Sequence, residues 1–419
     1  MAPKNSRIAA HECLTDEALS HLKTYKYSSV DLSPLSHYVL RHYWNAVVEF
    51  LPMWLAPNMV TLIGFMFILG NVALMELFIP DLKGPGPSWV YWSFGLGVWM
   101  YSTMDNIDGK QARRTGTSSP LGELFDHGID SLNCTLASLL ETTAMGFGAT
   151  PIGAFTALIP TLPMYFSTWE TYHTHTLYLG YFNGPTEGLL IASLMMIASG
   201  IYGPQFWQTP IASQYPSVSM ILGSTTSIRD LFVPIVFGTF LIAHLPACVH
   251  NVHKARKEKN LPTLPLLLEW IPIVVFTLSS MAWLGSSYSF LLKDNHLTLF
   301  CLTMSLVFGR MTTKIILAHL TRQAFPYWTV LLTPLVAGAI IVNLPILGIY
   351  PFFDNASELA YLRIYFVFAF IVYSRWAHLV ITSICEYLGI NALTIPREKW
   401  QSSGNGIIAN GATNLPKKD

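Results

Sequence analysis

The sequence has few charged residues. Only 11% of its 419 residues are Asp, Glu, Lys or Arg, and 52% are hydrophobic. A soluble domain usually carries about 25% charged residues, so this composition excludes an ordinary soluble enzyme. Basic and acidic residues balance at 24 each. Because the net charge is zero, no overall field attracts a nucleic acid or a strongly charged partner, and we expect no nucleic-acid binding.

Cysteine is also scarce, and its spacing excludes a disulfide framework and a cysteine zinc site because no C-x-x-C pair occurs. The five cysteines are Cys13, Cys134, Cys248, Cys301 and Cys385. The first fifty residues contain no uninterrupted apolar run, which argues against a cleavable signal peptide. We therefore expect the first membrane span to act as the insertion signal and the N-terminus to stay in the cytosol.

Long apolar stretches, in contrast, recur along most of the chain. A membrane-spanning helix needs about 20 mostly apolar residues, and ten stretches after Pro57 meet this need. The pattern predicts an all-α polytopic membrane protein with ten transmembrane helices. We expect the helices near residues 58–79, 88–113, 120–146, 150–169, 186–202, 231–252, 264–285, 296–318, 328–349 and 359–385.

Composition divides the chain into four parts. Residues 1–57 form an N-terminal part, of which the first thirty or so residues are polar and look frayed. The pattern from Leu32 to Phe50 predicts an amphipathic helix in the membrane interface. Residues 58–260 contain the first six spans, and residues 261–390 contain the last four. Residues 391–419 end in a stretch rich in Gly, Asn and Ser and predict a disordered cytosolic tail.

The basic residues of short loops predict the orientation, because they collect on the cytosolic side. With a cytosolic N-terminus, the opposite loops contain little beyond Lys83, Arg229 and Lys293. The cytosolic loops and tail then contain Lys110, Arg113, Arg114, Lys254, Arg256, Lys257, Lys259, Arg322, Arg397, Lys399, Lys417 and Lys418. This asymmetry predicts that both termini lie in the cytosol.

Five carboxylates lie at the adjoining ends of the second and third apolar stretches. They are Asp105, Asp108, Glu123, Asp126 and Asp130. An acidic residue at the centre of a membrane helix costs about 2.5 to 3.5 kcal/mol, so something must compensate for this group. The spacings of three and four residues place each aspartate pair along one face of its helix. The segment 115–120 predicts a loop whose proline starts the next helix, so the two pairs would meet at the cytosolic membrane surface.

Converging carboxylates without a nearby cysteine make an all-oxygen site. Such a site suits hard divalent cations, Mg²⁺ or Mn²⁺, and four aspartates predict two bridged ions. Gly109 and Gly122 would let a phosphate group or a facing helix approach the ions. Arg113 lies at the membrane edge, where it could meet the remaining negative charge of a diphosphate.

The spacing D-x-x-D-G-x-x-A-R-x8-G-x-x-x-D-x-x-x-D resembles the signature of the CDP-alcohol phosphotransferase family and is complete at every defined position. It consists here of Asp105, Asp108, Gly109, Ala112, Arg113, Gly122, Asp126 and Asp130. The stretches DNIDGKQARRTGTSSPLGELFDHGIDS and YFNGPTEG, with the ten spans, look like the eukaryotic choline and ethanolamine phosphotransferases. The resemblance implies transfer of phosphocholine or phosphoethanolamine from CDP-choline or CDP-ethanolamine to diacylglycerol, with release of CMP.

The resemblance also implies roles for individual residues. The four aspartates would bind the metals, Arg113 would contact the diphosphate, and Gly109, Ala112 and Gly128 would lie near the nucleotide. Asn58 would contact the CDP-alcohol, cap the first span, or do both. The first six spans would hold the site, and the last four would shape the access of the lipid or a homodimer interface. An endoplasmic reticulum or Golgi membrane is the expected location, and the choice between choline and ethanolamine stays open.

The in-line attack on phosphorus requires a group that takes the proton of the acceptor hydroxyl. A carboxylate that coordinates a cation is a poor proton acceptor, which counts against the four aspartates. His127 remains, and Glu123, one helical turn earlier, is placed to hold its imidazole. Two alternatives stay open: Asp130 is the base in some accounts of distant family members, and His127 could be an interfacial histidine bonded to Glu123.

The segment Trp169–His175 follows the fourth span and combines aromatic side chains with Glu170. It predicts either a box for an ammonium group or a part of the interfacial aromatic belt.

Two other functions compete with the phosphotransferase. A membrane prenyltransferase also holds a diphosphate through Mg²⁺ with two aspartate-rich motifs, but these usually lie on well-separated helices. A cation or metabolite transporter lines its path with carboxylates near the midplane, whereas the carboxylates here cluster at one membrane surface. Release of CMP from a CDP-alcohol in the presence of diacylglycerol distinguishes the three functions.

Overall fold

The structure, a computed structural model, describes residues 14–397, and helices dominate this part of the chain. The N-terminal part contains α1 (Asp16–Leu22), β1 (Ser29–Asp31) and α2 (Arg41–Glu49), with a π-helical turn, Ser36–Leu40, before α2. The only other strand of the described residues is β2 (Leu177–Leu179). The further helices are α3 (Pro57–Phe78), α4 (Ser88–Arg114), α5 (Pro120–Ala144), α6 (Pro151–Leu158), α7 (Thr161–Thr174), α8 (Leu189–Tyr202), α9 (Ser219–Leu222), α10 (Ile228–Thr239), α11 (Leu245–Glu258), α12 (Ile271–Leu284), α13 (Leu297–Thr321), α14 (Leu332–Asn343) and α15 (Asn355–Leu388).

Helices occupy all ten span positions that the sequence predicts, so the all-α polytopic class is confirmed. By length and composition, six described helices could cross a membrane: Pro57–Phe78, Gly184–Tyr202, Ile228–Glu258, Leu264–Leu284, Leu297–Thr321 and Asn355–Leu388. Helices α4 and α5, which carry the acidic residues, are less apolar. The predicted fourth span is interrupted between α6 and α7, and α14 belongs to a shorter apolar helix, Leu332–Leu347. The number of membrane spans, ten, stays a prediction.

The centre of the bundle is the contact between α5 and α13. A Cβ atom added to Gly309 of α13 would lie 2.6 Å from Leu132 Cδ2 of α5, so the missing side chain lets the helices approach. The Ser305 hydroxyl of α13 also donates to the Leu132 carbonyl, at 2.6 Å. We expected the last four spans to serve lipid access or dimerisation. Helix α13, one of these four, packs against α5 and is part of the core. The division of roles between the two sets of spans stays a prediction.

The N-terminal segment packs against the bundle. Leu19 and Leu22 of α1 are buried in one cluster with Leu317 and Leu320 of α13. Farther along, β1 pairs in parallel with β2, with Ser29 opposite Leu177. The expectation of a frayed N-terminus is therefore wrong for residues 14–31, because these leucines are covered by a helix about three hundred residues away in sequence. Residues 1–13 lie outside the described residues.

Helix α2 and the residues after α15 cover the same end of the bundle. Trp44 and Val48 of the predicted amphipathic helix are buried against α3 and α4. After α15, the Ala392 carbonyl accepts a hydrogen bond from Asn58, at 2.9 Å, and Ile395 is buried. The predicted disordered tail thus begins too early at 391, because Ala392 is bonded to Asn58 of α3 and Ile395 is buried. The rest of that tail, residues 398–419, lies outside the described residues.

Candidate active site

The loop between α4 and α5 brings the two aspartate pairs together. Ser119 caps α5 by accepting a hydrogen bond from Gly122 N, at 3.3 Å, and Pro120 is the first helical residue, as predicted. Gly116 has a φ of 64°, a left-handed conformation that favours glycine. Because the loop is short, the end of α4 and the beginning of α5 lie side by side.

Three of the four aspartates form a compact cluster. One carboxylate oxygen from each of Asp105, Asp126 and Asp130 lies within 4.8 Å of the others. Asp108 is buried beside them and accepts a hydrogen bond from the Thr61 hydroxyl of α3. Asp130 accepts one from the buried Tyr101 hydroxyl of α4. Helices α3, α4 and α5 therefore all contribute to the position of the carboxylates.

The cluster has the properties of a cation site. Asp105 Oδ1 and Asp126 Oδ1 are buried and have no hydrogen-bond partner among residues 14–397. Leaving such an oxygen unpaired costs about 1 to 3 kcal/mol, and more for a charged group. The donor set is oxygen only, which fits a hard divalent cation. The residues present thus fit the metal that the sequence predicts, and the identity and number of the ions stay predictions.

A cavity of about 1330 Å³ opens at the aspartates and exceeds the roughly 300–1,000 Å³ of typical ligand pockets. At one end it is lined by the acidic residues and by Tyr27 and Lys110. It continues along α5 to Glu141, where apolar side chains such as Met196 and Phe232 line it. A polar end joined to an apolar end can accommodate a charged and a lipid-like molecule in one space.

The structure places most of the other predicted contact residues on this cavity. Asn58, Gly109, Ala112 and Arg113 all line it. A Cβ atom added to Gly109 would lie 3.6 Å from Arg113 Nη1, so the guanidinium group lies over the glycine. Asn58 is not a cap, because the capping residue of α3 is Ala56 and Pro57 is the first helical residue. That alternative is wrong, and the contact to a CDP-alcohol stays a prediction.

Gly128 lies on a different face of α5. It is not among the cavity-lining residues, and a Cβ atom at Gly128 would lie 3.5 Å from Thr313 Oγ1 of α13. The two-residue step from Asp126 to Gly128 turns this position toward the neighbouring helix. The nucleotide contact at Gly128 stays a prediction.

His127 and Glu123 both line the cavity. His127 Nε2 lies 4.0 Å from Asp126 Oδ2. Glu123 accepts a hydrogen bond from the Tyr25 hydroxyl, and its Oε1 lies 4.0 Å from His319 Nε2. Within residues 14–397 no hydrogen bond joins Glu123 to His127, although the two side chains are near enough to interact electrostatically. Their roles in proton transfer stay predictions.

Trp169 and the residues next to it form neither the predicted ammonium box nor a part of the interfacial aromatic belt. The Trp169 indole and His173 both contact Glu269 Oε2, at 2.6 Å each, and all three side chains are buried. Glu170 accepts a hydrogen bond from Asn251, at 2.5 Å. Trp169, Glu170 and His173 do not line the cavity, so the ammonium box is wrong.

Sequence reasoning missed several residues that contact the predicted site. Thr61 and Tyr101 each lie one helical turn from a predicted site residue, Asn58 and Asp105, so local spacing could have found them. Tyr25 and His319 contact Glu123 from distant parts of the chain, and nothing in the local sequence indicates them.

The fold and the site define an integral membrane protein with an acidic, oxygen-lined site at one end of its helical bundle. The family model for CDP-alcohol phosphatidyltransferase matches residues 54–202. Choline/ethanolaminephosphotransferase 1 of Arabidopsis thaliana is 36% identical over 395 residues, 90% of this chain and 97% of the relative. Choline/ethanolaminephosphotransferase 1 of Saccharomyces cerevisiae is 34% identical over 399 residues, 92% of this chain and 98% of the relative.

Ethanolaminephosphotransferase 1 of Homo sapiens is 32% identical over 351 residues, 80% of this chain and 85% of the relative. The matches therefore cover the bundle as well as the aspartate motif. The chain belongs to the CDP-alcohol phosphatidyltransferase family and is a transferase.

Proposed function

We propose that this protein transfers phosphocholine or phosphoethanolamine from a CDP-alcohol to diacylglycerol, forming phosphatidylcholine or phosphatidylethanolamine and CMP. The observation that carries the proposal is the aspartate cluster at the polar end of a cavity that continues between apolar helices. Relatives named for choline/ethanolamine and for ethanolamine transfer support both headgroups. Diacylglycerol would reach the polar end from the apolar end, which would face the bilayer interior.

The aspartates Asp105, Asp108, Asp126 and Asp130 would hold two Mg²⁺ or Mn²⁺ ions. The unpaired oxygens of Asp105 and Asp126 support this assignment. When bound, the ions would neutralise negative charge on the diphosphate and on the leaving phosphate of CMP. Tyr101 and Thr61 keep Asp130 and Asp108 in place by hydrogen bonds.

Other residues of the cavity would bind the CDP-alcohol. Arg113 would contact the diphosphate, since its guanidinium group lies over the open surface at Gly109. Ala112 and Gly109 have small or no side chains and would let the nucleotide approach α4. Asn58 would contribute a polar contact from the beginning of α3.

His127 would act as the base. The acceptor hydroxyl oxygen forms a bond to the phosphorus next to the alcohol, and the bond from this phosphorus to the bridging oxygen of the diphosphate breaks. The hydroxyl proton moves to His127, and the electron pair of the broken bond leaves with CMP. Glu123, which lies near His127, would stabilise the protonated imidazole.

We also propose the location and the division of labour in the chain. The site and both termini would face the cytosol from an endoplasmic reticulum or Golgi membrane, as the basic loop residues predict. Residues 58–260 and α13 would form the catalytic unit. The other helices of residues 261–390 would serve lipid access or a homodimer interface.

The test is an assay of the purified protein in detergent with either CDP-alcohol, diacylglycerol and Mn²⁺. We expect CMP to form in equal amount to the phospholipid and only when diacylglycerol is present, and a mixture of both CDP-alcohols gives the headgroup preference. The Asp126→Ala protein is the control for contaminating activity. Diphosphate release from a prenyl diphosphate, or no CMP from either CDP-alcohol, would overturn the proposal.

A further inference from the structure

Glu123 lies where four separate parts of the chain meet. The hydroxyl of Tyr25, between α1 and β1, donates a hydrogen bond to Glu123 Oε2. His319, near the end of α13, places Nε2 at 4.0 Å from Glu123 Oε1, and its ring packs against the Tyr25 ring with centroids 5.7 Å apart. His175, which ends α7, stacks on His319, and their Nδ1 atoms are 3.1 Å apart.

The carboxylate is thus approached on both oxygens. Glu123 is only 9% exposed, and a buried carboxylate is costly unless donors compensate for lost water. Burial and the negative charge of Glu123 raise the pKa of Tyr25, so its hydroxyl stays protonated and remains a donor at physiological pH. His319 is 4% exposed, and its Nε2 atom has no hydrogen-bond partner among the described residues. This nitrogen atom faces Glu123 Oε1.

The contact between the two histidines bears on which nitrogen of His319 carries hydrogen. In a neutral imidazole one nitrogen donates and the other accepts. If His319 Nδ1 donated to His175, the lone pair of His319 Nε2 would face the carboxylate, and the two would repel each other. If His175 Nδ1 donates instead, His319 Nε2 carries the hydrogen and attracts Glu123. The second arrangement satisfies both contacts.

We propose that Tyr25 and His319 are positioning residues that hold the Glu123 side chain directed toward His127, and that His175 sets the tautomer of His319. This inference rests on the proposed function, in which His127 takes the acceptor proton. It makes the N-terminal segment, for which the sequence predicts a frayed structure, a component of the active site through Tyr25.

The first experiment compares Tyr25→Phe with Tyr361→Phe in the detergent-purified protein. The second change removes a hydroxyl that donates to the Pro334 carbonyl, at 2.7 Å, away from the site. We expect Tyr25→Phe to lower kcat about tenfold, the effect of losing one hydrogen bond to a charged group, while KM for the CDP-alcohol stays within about twofold. Tyr361→Phe should leave both constants unchanged.

Tyr25→Phe is also introduced into a Glu123→Gln protein. This double variant distinguishes an effect of Tyr25 on the position of Glu123 from an effect on the stability of the protein. If Tyr25 acts through the carboxylate, Tyr25→Phe should lower kcat by less than twofold in that background. An equal tenfold loss in both backgrounds, or no loss in either, would overturn the role of Tyr25.

The tautomer is tested by His319→Gln and His319→Asn, because the amide nitrogen of glutamine occupies roughly the position of Nε2 and that of asparagine the position of Nδ1. We expect kcat of the glutamine variant to be at least threefold higher than kcat of the asparagine variant. The control is His253→Gln, which changes an exposed histidine of α11. Equal kcat in the two His319 variants, or a higher kcat in the asparagine variant, would overturn the assignment.

His127→Ala distinguishes this inference from the function on which it rests. If that variant keeps wild-type kcat, the base is wrong and the proposed function fails at that step. If it loses activity while the Tyr25 and His319 variants do not, only the positioning role is wrong.

Discussion

At the scale of the residue, the unpaired oxygens of Asp105 and Asp126 are the most informative feature of the site. The hydroxyls that the fold supplies, from Thr61 and Tyr101, reach Asp108 and Asp130 instead. Asp105 and Asp126 each keep a buried oxygen without a partner among residues 14–397. A bound cation would satisfy both oxygens and hold the two helices together, so metal binding should depend on these two residues.

We expect Asp105→Ala and Asp126→Ala each to abolish transfer nearly completely and to weaken Mn²⁺ binding by at least tenfold, because each removes one ligand of a shared cluster. Mn²⁺ binding to the detergent-purified protein can be measured by electron paramagnetic resonance or calorimetry, independently of turnover. Asp294→Ala removes an exposed aspartate at the loop before α13 and should change neither property. Near-normal Mn²⁺ affinity in both site variants would contradict the cluster.

The proton transfer belongs to the same scale. His127→Ala should lower kcat by about 10² to 10⁴, the usual contribution of a general base. The Kd of the CDP-alcohol should change little, because the aspartates and Arg113 remain. Glu123→Gln should produce a smaller loss of the same kind. Wild-type turnover in His127→Ala would favour Asp130 as the base, and a collapse of nucleotide binding would give His127 a binding role.

At the scale of the element, close contacts between helices determine where α4 holds its aspartates. Gly95 of α4 lies so near α8 that an added Cβ atom would be 2.6 Å from the Ser193 carbonyl oxygen. The Ser193 hydroxyl donates to the Gly95 carbonyl, at 2.7 Å. Because the obstacle is backbone, a side chain at Gly95 can be accommodated only if the two helices separate.

Gly95→Ala should therefore destabilise the protein by about 1 to 3 kcal/mol, the typical effect of overpacking a tight contact. Thermal unfolding in detergent, followed by tryptophan fluorescence, measures this as a lowered midpoint. Gly70→Ala is the matched control, because nothing lies within 4 Å of a Cβ atom at that position of α3. An unchanged midpoint in Gly95→Ala would show that α4 and α8 are not held at this distance.

At the scale of the whole molecule, both described ends of the chain lie at the aspartate end of the bundle. Tyr25 contacts Glu123, and Ala392 contacts Asn58. A chain whose two ends lie on one side of a membrane crosses it an even number of times. Since CDP-alcohols are polar nucleotides that need an aqueous approach, the aspartate end should face the compartment that contains them.

In sealed microsomes with the cytosolic side outward, we expect tags at both termini to be digested by added protease. The expectation follows from an even number of spans and from the basic loop residues. Detergent-opened microsomes provide the control for tag cleavage, and a luminal marker protein verifies that the vesicles are closed. Protection of a single tag would mean an odd number of spans, and protection of both would place the site in the lumen.

The sequence by itself determined the class of this protein and the location of its motif. Scarce charge and recurring apolar stretches of about 20 residues predict a helical membrane bundle, because a helix bonds its backbone polar groups within one segment in lipid. The spacing of Asp105, Asp126 and Asp130 also determined their convergence, since helical periodicity and a short loop are local properties.

Only the tertiary structure decided what surrounds these residues. Glu123 contacts Tyr25 and His319. Trp169 donates to Glu269, and Asn58 donates to the Ala392 carbonyl. Each of these contacts joins residues about a hundred or more positions apart. Such a contact depends on how all intervening helices pack, so no periodicity or spacing in the chain indicates it. For the same reason, the local sequence does not show that Gly128 faces Thr313 of α13.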